Sequence, residues 1–541
     1  MRKSKSPPRF ESPLRAAAVV LATVAVIAGA TVWADRLLVE AQIALILGTV
    51  FPLLTLVAVV APGPGASSLL ELVVRPMAGS RRRTLALLAA AVFCATLMIG
   101  WLALDGFASS SDEYAYVIQA QTYLTGRLWV EPPSPIEAFE QVRVIAKNGM
   151  WLSIYQPGWA LLLTIPVALG LPAWLLNPVL ATLLVAAFYR LSRTSIGAEA
   201  TWLSLLGLCT SSFFLFNYAS YFSHGAGALA AVLFAYCGVR YLKGGSWRWA
   251  LLAGLSLGAL GFIRAANAVL FAVPFVIALL GSPGRRSGLA WFALGGAPFA
   301  VALLLYQKVV TGSALMPVQY WLLNGSEPFG LRSSYQGETL RRALRLMLWT
   351  SPVIVVAWPL ALSWLGYRRR LSFVDWLAPL TVLGFVFYGG HGGVQYGPRY
   401  YFECWPFVFF TMGKAFDALL AADPRKRNWL ASAFLVHVAV QLGFLVPRAE
   451  REHAVIQETQ LPYRRAREAH LRDAVVLLVD RVGSIKPVDP RDLVRNGLRV
   501  GDEPVTFALD KDPAATRAVR ELFPSRRFYR YADGQLRALT D

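Results

Sequence analysis

The chain has 541 residues, of which 56% are hydrophobic and 16% charged, and its formal net charge is +20. Soluble proteins carry about a quarter charged residues, so this composition excludes an ordinary soluble domain. Apolar runs close to the length of a bilayer crossing recur between residues 16 and 447. The sequence therefore predicts an all-α polytopic membrane protein.

Basic residues cluster in the short loops between the apolar runs. This is the positive-inside pattern of membrane proteins, and it argues against the nucleic-acid partner that the charge would otherwise suggest. The cysteines stand singly in apolar runs, without a spacing typical of metal or redox sites, at Cys94, Cys209, Cys237 and Cys404. The loop charges also assign each loop to one side of the membrane.

Residues 1–83 are predicted to form a cytoplasmic tail followed by two transmembrane helices, near 16–34 and 41–61. A cleaved signal peptide is the alternative for the first run, because Val32-Trp33-Ala34 resembles a cleavage site. The length of the run favours a retained span. The arginines at 81–83 mark a cytoplasmic loop, so the next run, 84–104, crosses outward.

Residues 84–446 are predicted to form one transmembrane module with outer loops at 107–156 and 311–342. The run 158–170 is too short to cross comfortably, so we interpret it as a re-entrant or interfacial helix. The remaining predicted spans are 173–189, 200–216, 221–241, 249–263, 266–280, 289–310, 343–366, 371–388, 401–421 and 429–446. The total is about 13 spans, with the N-terminus inside and the C-terminus outside.

The tail, residues 447–541, has a different composition. Val475–Val479 and Val505–Leu509 are typical of short strands, and a helical pattern with scattered arginines separates them. These segments predict a small extracytoplasmic α/β domain.

Two adjacent carboxylates, Asp112 and Glu113, follow the span 84–104 almost at once and begin a short amphipathic helix. A carboxylate so close to lipid is costly unless it is solvated, paired or used, so the pair is a candidate functional site. The structural alternative is a helix cap, in which Ser111 or Asp112 accepts backbone N–H groups and Glu113 favours the first turn. Capping does not exclude chemistry.

Other polar residues are predicted at the same outer ends of the spans. Arginine forks match phosphate oxygens, tyrosines and amides hydrogen-bond sugars, and a carboxylate can take a proton from a hydroxyl. Together these side chains suit an anionic, polyhydroxylated substrate. They are Asn217, Tyr218, Tyr221, His224, Arg264, Asn267, Gln319, Tyr320, His391, Gln395, Tyr396, Arg399 and Glu403.

Each of these residues also has a structural interpretation. Arg264 at a span end is placed to snorkel, and His224 beside Gly225 suits an interfacial histidine. The stretch 396–401 could be an aromatic belt with a turn. His224 and His391 would make half of a metal site, but their spacing does not demand one.

Four sequence features resemble one known family. They are Asp112-Glu113 with the tyrosine-containing helix that follows, Tyr155-Gln156-Pro157-Gly158-Trp159, Gly261-Phe262-Ile263-Arg264, and Gly397-Pro398-Arg399-Tyr400-Tyr401-Phe402-Glu403. In these features the chain resembles the lipid-linked-sugar glycosyltransferases of the C superfold (GT-C). Within that superfold it is most similar to bacterial relatives of the dolichyl-phosphate-mannose–protein mannosyltransferases and of the aminoarabinose transferase. The resemblance spans residues 84–446 and follows the order of the features.

The resemblance implies an inverting membrane glycosyltransferase at the extracytoplasmic face of a bacterial inner membrane. Its donor would be a polyprenyl-phosphate sugar and its acceptor an envelope glycan, lipid or protein. Asp112 would be the general base, and Glu113 would assist it or bind a cation. The donor phosphate would meet Arg264, Arg399 and Tyr396. The other substrate-binding residues implied are His224, Tyr221, His391, Gln395 and Tyr155.

Two departures from the family matter. The two spans before residue 84 are additional, and an aspartate often found at a later outer span end is replaced near Phe222-Ser223-His224. The residues therefore neither require nor exclude a divalent cation, and no other cofactor is implied. Two rival functions remain: a transporter or flippase of lipid-linked sugars, which predicts an internal repeat that the sequence lacks, and a non-catalytic envelope-polymer assembly protein.

Overall fold

The computed structural model describes residues 81–324, 349–350, 352–388, 395–479 and 481–539. The predicted spans near 16–34 and 41–61, most of the second outer loop, and His391 lie outside these residues. The first part contains α1 (Arg81–Met98), α2 (Ser111–Leu124), α3 (Ile136–Phe139), β1 (Val144–Lys147), β2 (Met150–Ser153), α4 (Pro157–Ala168), α5 (Leu176–Ser192), α6 (Ala198–Cys209), α7 (Ser212–Tyr218) and α8 (His224–Leu242). Next come α9 (Trp247–Leu280), α10 (Gly288–Thr311), α11 (Val318–Leu322), α12 (Pro352–Tyr367), α13 (Leu377–Val386), α14 (Trp405–Ala422) and α15 (Arg427–Thr459). The chain continues with α16 (Leu461–Glu468), β3 (Ala474–Leu478), β4 (Val505–Leu509), α17 (Pro513–Leu522), β5 (Arg527–Ala532) and β6 (Gln535–Ala538).

The protein is a polytopic membrane protein. By length and composition, and with α9 counted once, 6 helices in the described ranges are candidates to cross a membrane, or 7 if the bent pair α6–α7 is one span. The predicted total of 13 spans is not confirmed. The predicted run 200–216 is not one straight helix, because α6 and α7 meet at an angle of 61°.

Helix α9 doubles back on itself at Arg264, whose backbone is not helical (φ −150°, ψ 81°). A straight helix of 34 residues would separate its ends by about 50 Å. Instead, Arg285, just after α9, donates a 3.0 Å hydrogen bond to the carbonyl of Gly245, just before it. A Cβ built at Gly261 would lie 3.4 Å from the Cβ of Ala268. The element is therefore a helical hairpin with Arg264 at its tip, in agreement with the two predicted runs 249–263 and 266–280.

The C-terminal domain, residues 461–539, is built on a four-stranded sheet in the order β4-β3-β5-β6. Strand β3 pairs in parallel with β4 and β5, and β6 closes the edge antiparallel to β5. The two strands predicted from sequence are confirmed, and β5 and β6 were not predicted. The predicted boundary at residue 447 falls inside α15, which continues through Pro447 to Thr459.

The first outer loop is not independent of the C-terminal domain. Ala138 and Phe139 of α3 are buried in the same hydrophobic cluster as β3 and β4. The hairpin β1–β2 instead packs Leu152 with Tyr306 and Val310 of α10. This loop therefore bridges the transmembrane helices and the C-terminal domain.

Candidate active site

The first turn of α2 is fixed by a capping box. Ser110 is the N-cap, one residue before the two caps considered from sequence, and its hydroxyl accepts from the Glu113 N–H. The Glu113 carboxylate accepts from the N–H and hydroxyl of Ser110, each at 3.1 Å, and from the Tyr221 N–H at 3.2 Å. Burial raises the pKa of Glu113, although the N–H donors oppose the shift. Glu113 thus ties the start of α2 to the chain around Tyr221.

Asp112, on the same turn, has a different environment. Its Oδ1 accepts hydrogen bonds from the Tyr155 hydroxyl at 2.5 Å and from Arg143 Nε at 3.0 Å, and its Oδ2 accepts from Arg399 Nη2 at 2.8 Å. Burial alone would raise the pKa of Asp112, but Arg399, Arg143 and Tyr155 outweigh it and lower the pKa to about 2. The carboxylate is therefore ionised throughout the physiological pH range.

Arg399 is the cation closest to Asp112 and is itself buried, with a side chain only 6% exposed. Its guanidinium carbon lies 3.7 Å from the centre of the Phe222 ring, which suits a cation–π contact. Its Nε and Nη1 atoms have no hydrogen-bond partner within the described ranges. Buried donors are normally satisfied, so the Nε–H and Nη1–H groups of Arg399 are available to a further acceptor.

A second ion-pair cluster surrounds Glu403, which is fully buried. Its Oε1 lies 2.9 Å from His224 Nδ1 and 2.7 Å from Arg264 Nε. The Arg264 guanidinium also donates to the Ser223 hydroxyl at 3.3 Å. A buried carboxylate needs such partners, because taking an unpaired charge out of water is expensive.

The tip of the α9 hairpin places Arg264 in this cluster. The break in α9 leaves the Ala265 N–H without a helical partner, and the side chain of Gln156 accepts it at 3.0 Å. Gly158, two residues after Gln156, packs directly against the backbone of the hairpin. A Cβ at this position would lie 2.6 Å from the carbonyl oxygen of Phe262. Residues 156–158 therefore form the packing surface for the hairpin tip, called here the hairpin seat. This contact accounts for two of the four family-like motifs, 155–159 and 261–264, together.

Residues 221–224, called here the 221–224 turn, connect the two clusters. The Tyr221 N–H binds Glu113, the Phe222 ring lies under Arg399, and His224 pairs with Glu403. The Ser223 hydroxyl accepts a hydrogen bond from Arg264 Nη1, and it lies 3.3 Å from the Tyr116 hydroxyl. Three carboxylates (Asp112, Glu113 and Glu403) and three arginines (Arg143, Arg264 and Arg399) thus share one network.

Most of the residues predicted from sequence are brought together, but they have different surroundings. Tyr155, His224, Arg264 and Arg399 contact the Asp112 or Glu403 carboxylate. Tyr396 and Gln395 instead reach the hydroxyl of Ser109, just before α2. The Tyr221 hydroxyl donates to the Gly106 carbonyl at 2.7 Å. These three side chains therefore contact the chain just before α2 and not the two carboxylates. His391 lies outside the described residues.

Sequence reasoning missed Arg143, which pairs directly with Asp112. The available signal was weak: Arg143 is the single basic residue between Arg127 and Lys147. Glu403 was named among the polar residues at the outer span ends but was given no role of its own. Its pairing with His224 joins residues 179 positions apart, which no local pattern reveals.

An apolar groove with a volume of about 480 Å³ lies among helices of which two, α2 and α9, also carry residues of the network. Helices α2, α4, α9 and α10 form its walls, and Arg127 stands at its edge. Its lining residues are Tyr123, Gly126, Leu128, Pro157, Leu161, Phe262, Ala302, Leu305, Tyr306 and Val309. In the part of the chain that the structure describes, no group of three or more His, Cys, Asp or Glu side chains is arranged to hold a metal ion.

No family model matches this sequence, and no curated protein is significantly similar to it. Among solved structures, the chain is similar to ArnT from Cupriavidus metallidurans bound to undecaprenyl phosphate. The identity is 12% and the TM-score 0.50, over 82% of this chain and 93% of that one. ArnT in the apo state gives 12% identity and a TM-score of 0.51 over the same shares. Arabinofuranosyltransferase AftD from Mycobacteria gives 16% and 0.46, over 82% of this chain and 33% of that one.

The chain therefore has the GT-C-like fold of a polytopic membrane protein, which confirms the fold expected from the four sequence features. Within that fold, the likeness to ArnT extends over most of both chains. At 12% identity this likeness concerns the fold alone. The chemistry has to be argued from the side chains of this protein.

Proposed function

We propose that the protein is an integral-membrane glycosyltransferase that transfers a sugar from a polyprenyl-phosphate donor to an envelope acceptor. The reaction takes place on the extracytoplasmic face and inverts the anomeric configuration. The acceptor is a hydroxyl-bearing glycan, lipid or protein. Asp112 is the general base, and Arg399 and Arg264 hold the donor phosphate.

One observation carries this proposal: Arg399 binds Asp112 through Nη2 while its Nε and Nη1 remain unpartnered and buried. A phosphate bound to Nε–H or Nη1–H would be separated from the Asp112 carboxylate by the width of the Arg399 guanidinium group. That is the separation in which a base and a leaving phosphate flank a single reacting carbon. Arginine suits both partners, because its planar fork recognises carboxylates and phosphates.

The reaction is a single displacement. The acceptor oxygen attacks the anomeric carbon on the face opposite the phosphate, and its proton passes to the Asp112 carboxylate. A new bond forms between the acceptor oxygen and the sugar as the bond between the sugar and the phosphate oxygen breaks. Arg399 and Arg264 stabilise the negative charge that develops on the departing polyprenyl phosphate, where fixed cations contribute most.

The groove supports a lipid-linked donor. Its walls are apolar, and it lies between α4 and the α9 hairpin whose tip carries Arg264. A prenyl chain in this groove would leave its phosphate near the arginines. ArnT, which shares this fold, has been solved bound to undecaprenyl phosphate.

The test is transfer by purified protein in detergent or nanodiscs, with candidate undecaprenyl-phosphate sugars as donors and an envelope extract as acceptor. We expect at least one donor to be consumed, with release of undecaprenyl phosphate and an anomeric configuration opposite to that of the donor. Asp112→Asn is the control and should abolish most of the transfer. Vectorial movement of an intact donor across the bilayer, without transfer, would instead identify a transporter.

A further inference from the structure

A segment of the C-terminal domain, residues 489–497, is held rigidly by its own domain. The amide of Asn496 exchanges two hydrogen bonds with the backbone of Phe507 in β4, each 2.7 Å long. The Tyr463 hydroxyl donates to the Leu493 carbonyl at 2.6 Å. The 489–497 segment is therefore a fixed projection of the domain.

This segment contacts the chain on both sides of Asp112. Arg495 Nη1 donates to the Ala108 carbonyl, and its guanidinium carbon lies 4.6 Å from the Phe107 ring and 5.1 Å from the Tyr114 ring. The N–H of Gly497 donates to the Tyr114 hydroxyl at 3.3 Å. One side chain thus contacts the residues just before and just after the turn that carries the carboxylate.

Further contacts join the segment to the same loop. The Ser111 side chain lies close to the carboxylate of Asp492. The side chain of Gln141 donates to the Val494 carbonyl at 2.7 Å. Phe139 is buried among residues of the C-terminal sheet. The first outer loop and the C-terminal domain therefore pack as one body around the start of α2.

We propose that the C-terminal domain is a working part of the active site, and that Arg495 is the positioning residue through which it fixes the first turn of α2 and the carboxylate of Asp112. The inference rests on the base role proposed for Asp112. Arg495 does not touch the reacting atoms. It acts by keeping Asp112 in register with Arg399, which lies in the short turn Arg399–Tyr401 before α14.

The energetic reason is alignment. Arg399 lies in the short turn before α14 and Arg264 at the tip of the α9 hairpin, whereas Asp112 lies on a separate helix, α2, that must be aligned with them. A misplacement of about 1 Å can cost about 10²-fold in rate. Losing the Arg495 contacts would free the first turn of α2, while the phosphate-binding arginines would keep their places.

The test compares Arg495→Gln and Arg495→Lys with Arg491→Gln. Arg491 lies on the same segment, but its ion pairs are with Asp489 and Glu140, away from α2. We expect Arg495→Gln to lower kcat about 10–100-fold at an unchanged donor KM. Arg495→Lys should recover part of the loss, because the ammonium keeps the cation over both rings. Arg491→Gln should behave like the wild type.

Two further measurements separate positioning from simple adhesion. Tyr114→Phe removes only the hydroxyl that accepts the Gly497 N–H, so the protein should fold and lose kcat by a few-fold. Hydrogen exchange at the amides of residues 110–116 should accelerate in Arg495→Gln and not in Arg491→Gln. Unchanged kcat per folded molecule in both Arg495 variants would overturn the proposal. If the wild type transfers no sugar, the proposed function fails, and the exchange measurement still decides the role of Arg495.

Discussion

Asp112 and Arg399 restrain each other through their ion pair. A carboxylate with a pKa of about 2 is a weak base, whereas general bases work best near the operating pH. A donor phosphate on the free edges of Arg399 would compete for the same positive charge. We therefore expect the pKa of Asp112 to rise when the donor binds, so that the base strengthens once its substrate is present.

The two neighbouring carboxylates should respond differently to removal of charge. Asp112→Asn takes away the proposed base and should lower kcat by about 10²–10⁴-fold while donor binding persists. Glu113→Gln weakens a cap that is already satisfied by Ser110 and Tyr221, so its main effect should be on stability. Steady-state kinetics and a thermal melt of both variants provide the comparison. A larger loss of kcat in the Glu113 variant would move the base to that residue.

Arg399 allows charge to be separated from geometry. Arg399→Lys keeps the charge but loses the fork that serves Asp112 and the phosphate together, so donor affinity should fall. Arg399→Gln should weaken donor binding further. The matched control is Arg427→Lys, because Arg427 pairs with Glu199 in the first turn of α6 and does not contact Asp112. Equal donor dissociation constants across the two Arg399 variants and the wild type would reduce Arg399 to a structural residue.

At the scale of elements, the seat of the α9 hairpin is sharply constrained. An alanine at Gly158 would bring its Cβ within 2.6 Å of the Phe262 backbone oxygen, which cannot move as a flexible side chain would. Gly158→Ala should therefore cost about 1–3 kcal/mol in stability, or push Arg264 away from Glu403 and raise the donor KM. Gly284→Ala is the control, because nothing lies within 4 Å of its Cβ position. Identical melting temperatures and identical donor KM values for the two variants would contradict the close packing of Gly158 against the α9 hairpin.

The 489–497 segment should make stability depend on pH. Burial raises the pKa of Asp492 to about 6; the Asp489 and Asp112 carboxylates add to this shift, and Arg495 and the nearby Ser111 side chain oppose it. The folded protein therefore favours the protonated acid. This contribution to stability is present below the ordinary pKa near 4 and is lost as the pH rises through about 6.

Asp492→Asn removes that loss, so it should stabilise the protein at pH 8 by about 1–3 kcal/mol and have little effect near pH 4. Asp489→Asn should do the opposite, because the hydrogen bond from Arg491 lowers the pKa of Asp489. Thermal unfolding of both variants at the two pH values is the measurement. The same sign of change for both variants at pH 8 would show that the charges do not govern this interface.

At the scale of the whole molecule, hydropathy and loop charge were enough to locate most helices. The runs 84–104, 173–189 and 289–310 closely match α1, α5 and α10, because an apolar stretch in lipid must satisfy its backbone internally as a helix. The same reasoning placed Arg264 between two apolar runs, and the structure has it at the tip of the α9 hairpin. Cross-chain pairs were beyond reach, since nothing local links Arg143 to Asp112 or His224 to Glu403.

The extent of α15 shows a different limit. Loss of hydropathy after Val446 suggested that the helix ends there, yet it continues to Thr459. Hydropathy reports where lipid ends, and the helix continues because charged residues such as Glu450 and Arg451 favour helix in water as well. The integration of Phe139 into the C-terminal core was equally hidden, because it depends on packing between distant segments.

The side of the membrane occupied by each end can be tested directly. In a cysteine-free background, Glu131→Cys in the first outer loop and Ser525→Cys in the C-terminal domain should label with a membrane-impermeant thiol reagent added to intact cells. Ser287→Cys, in the loop between α9 and α10, should label only after the cells are opened. All three positions are exposed, so silence cannot be attributed to burial. The expectation follows from the arginines at 285 and 286, which the positive-inside rule assigns to the cytoplasm. Labelling of Ser287→Cys in intact cells, with Glu131→Cys silent, would place Asp112 in the cytoplasm, where the proposed envelope acceptors are absent.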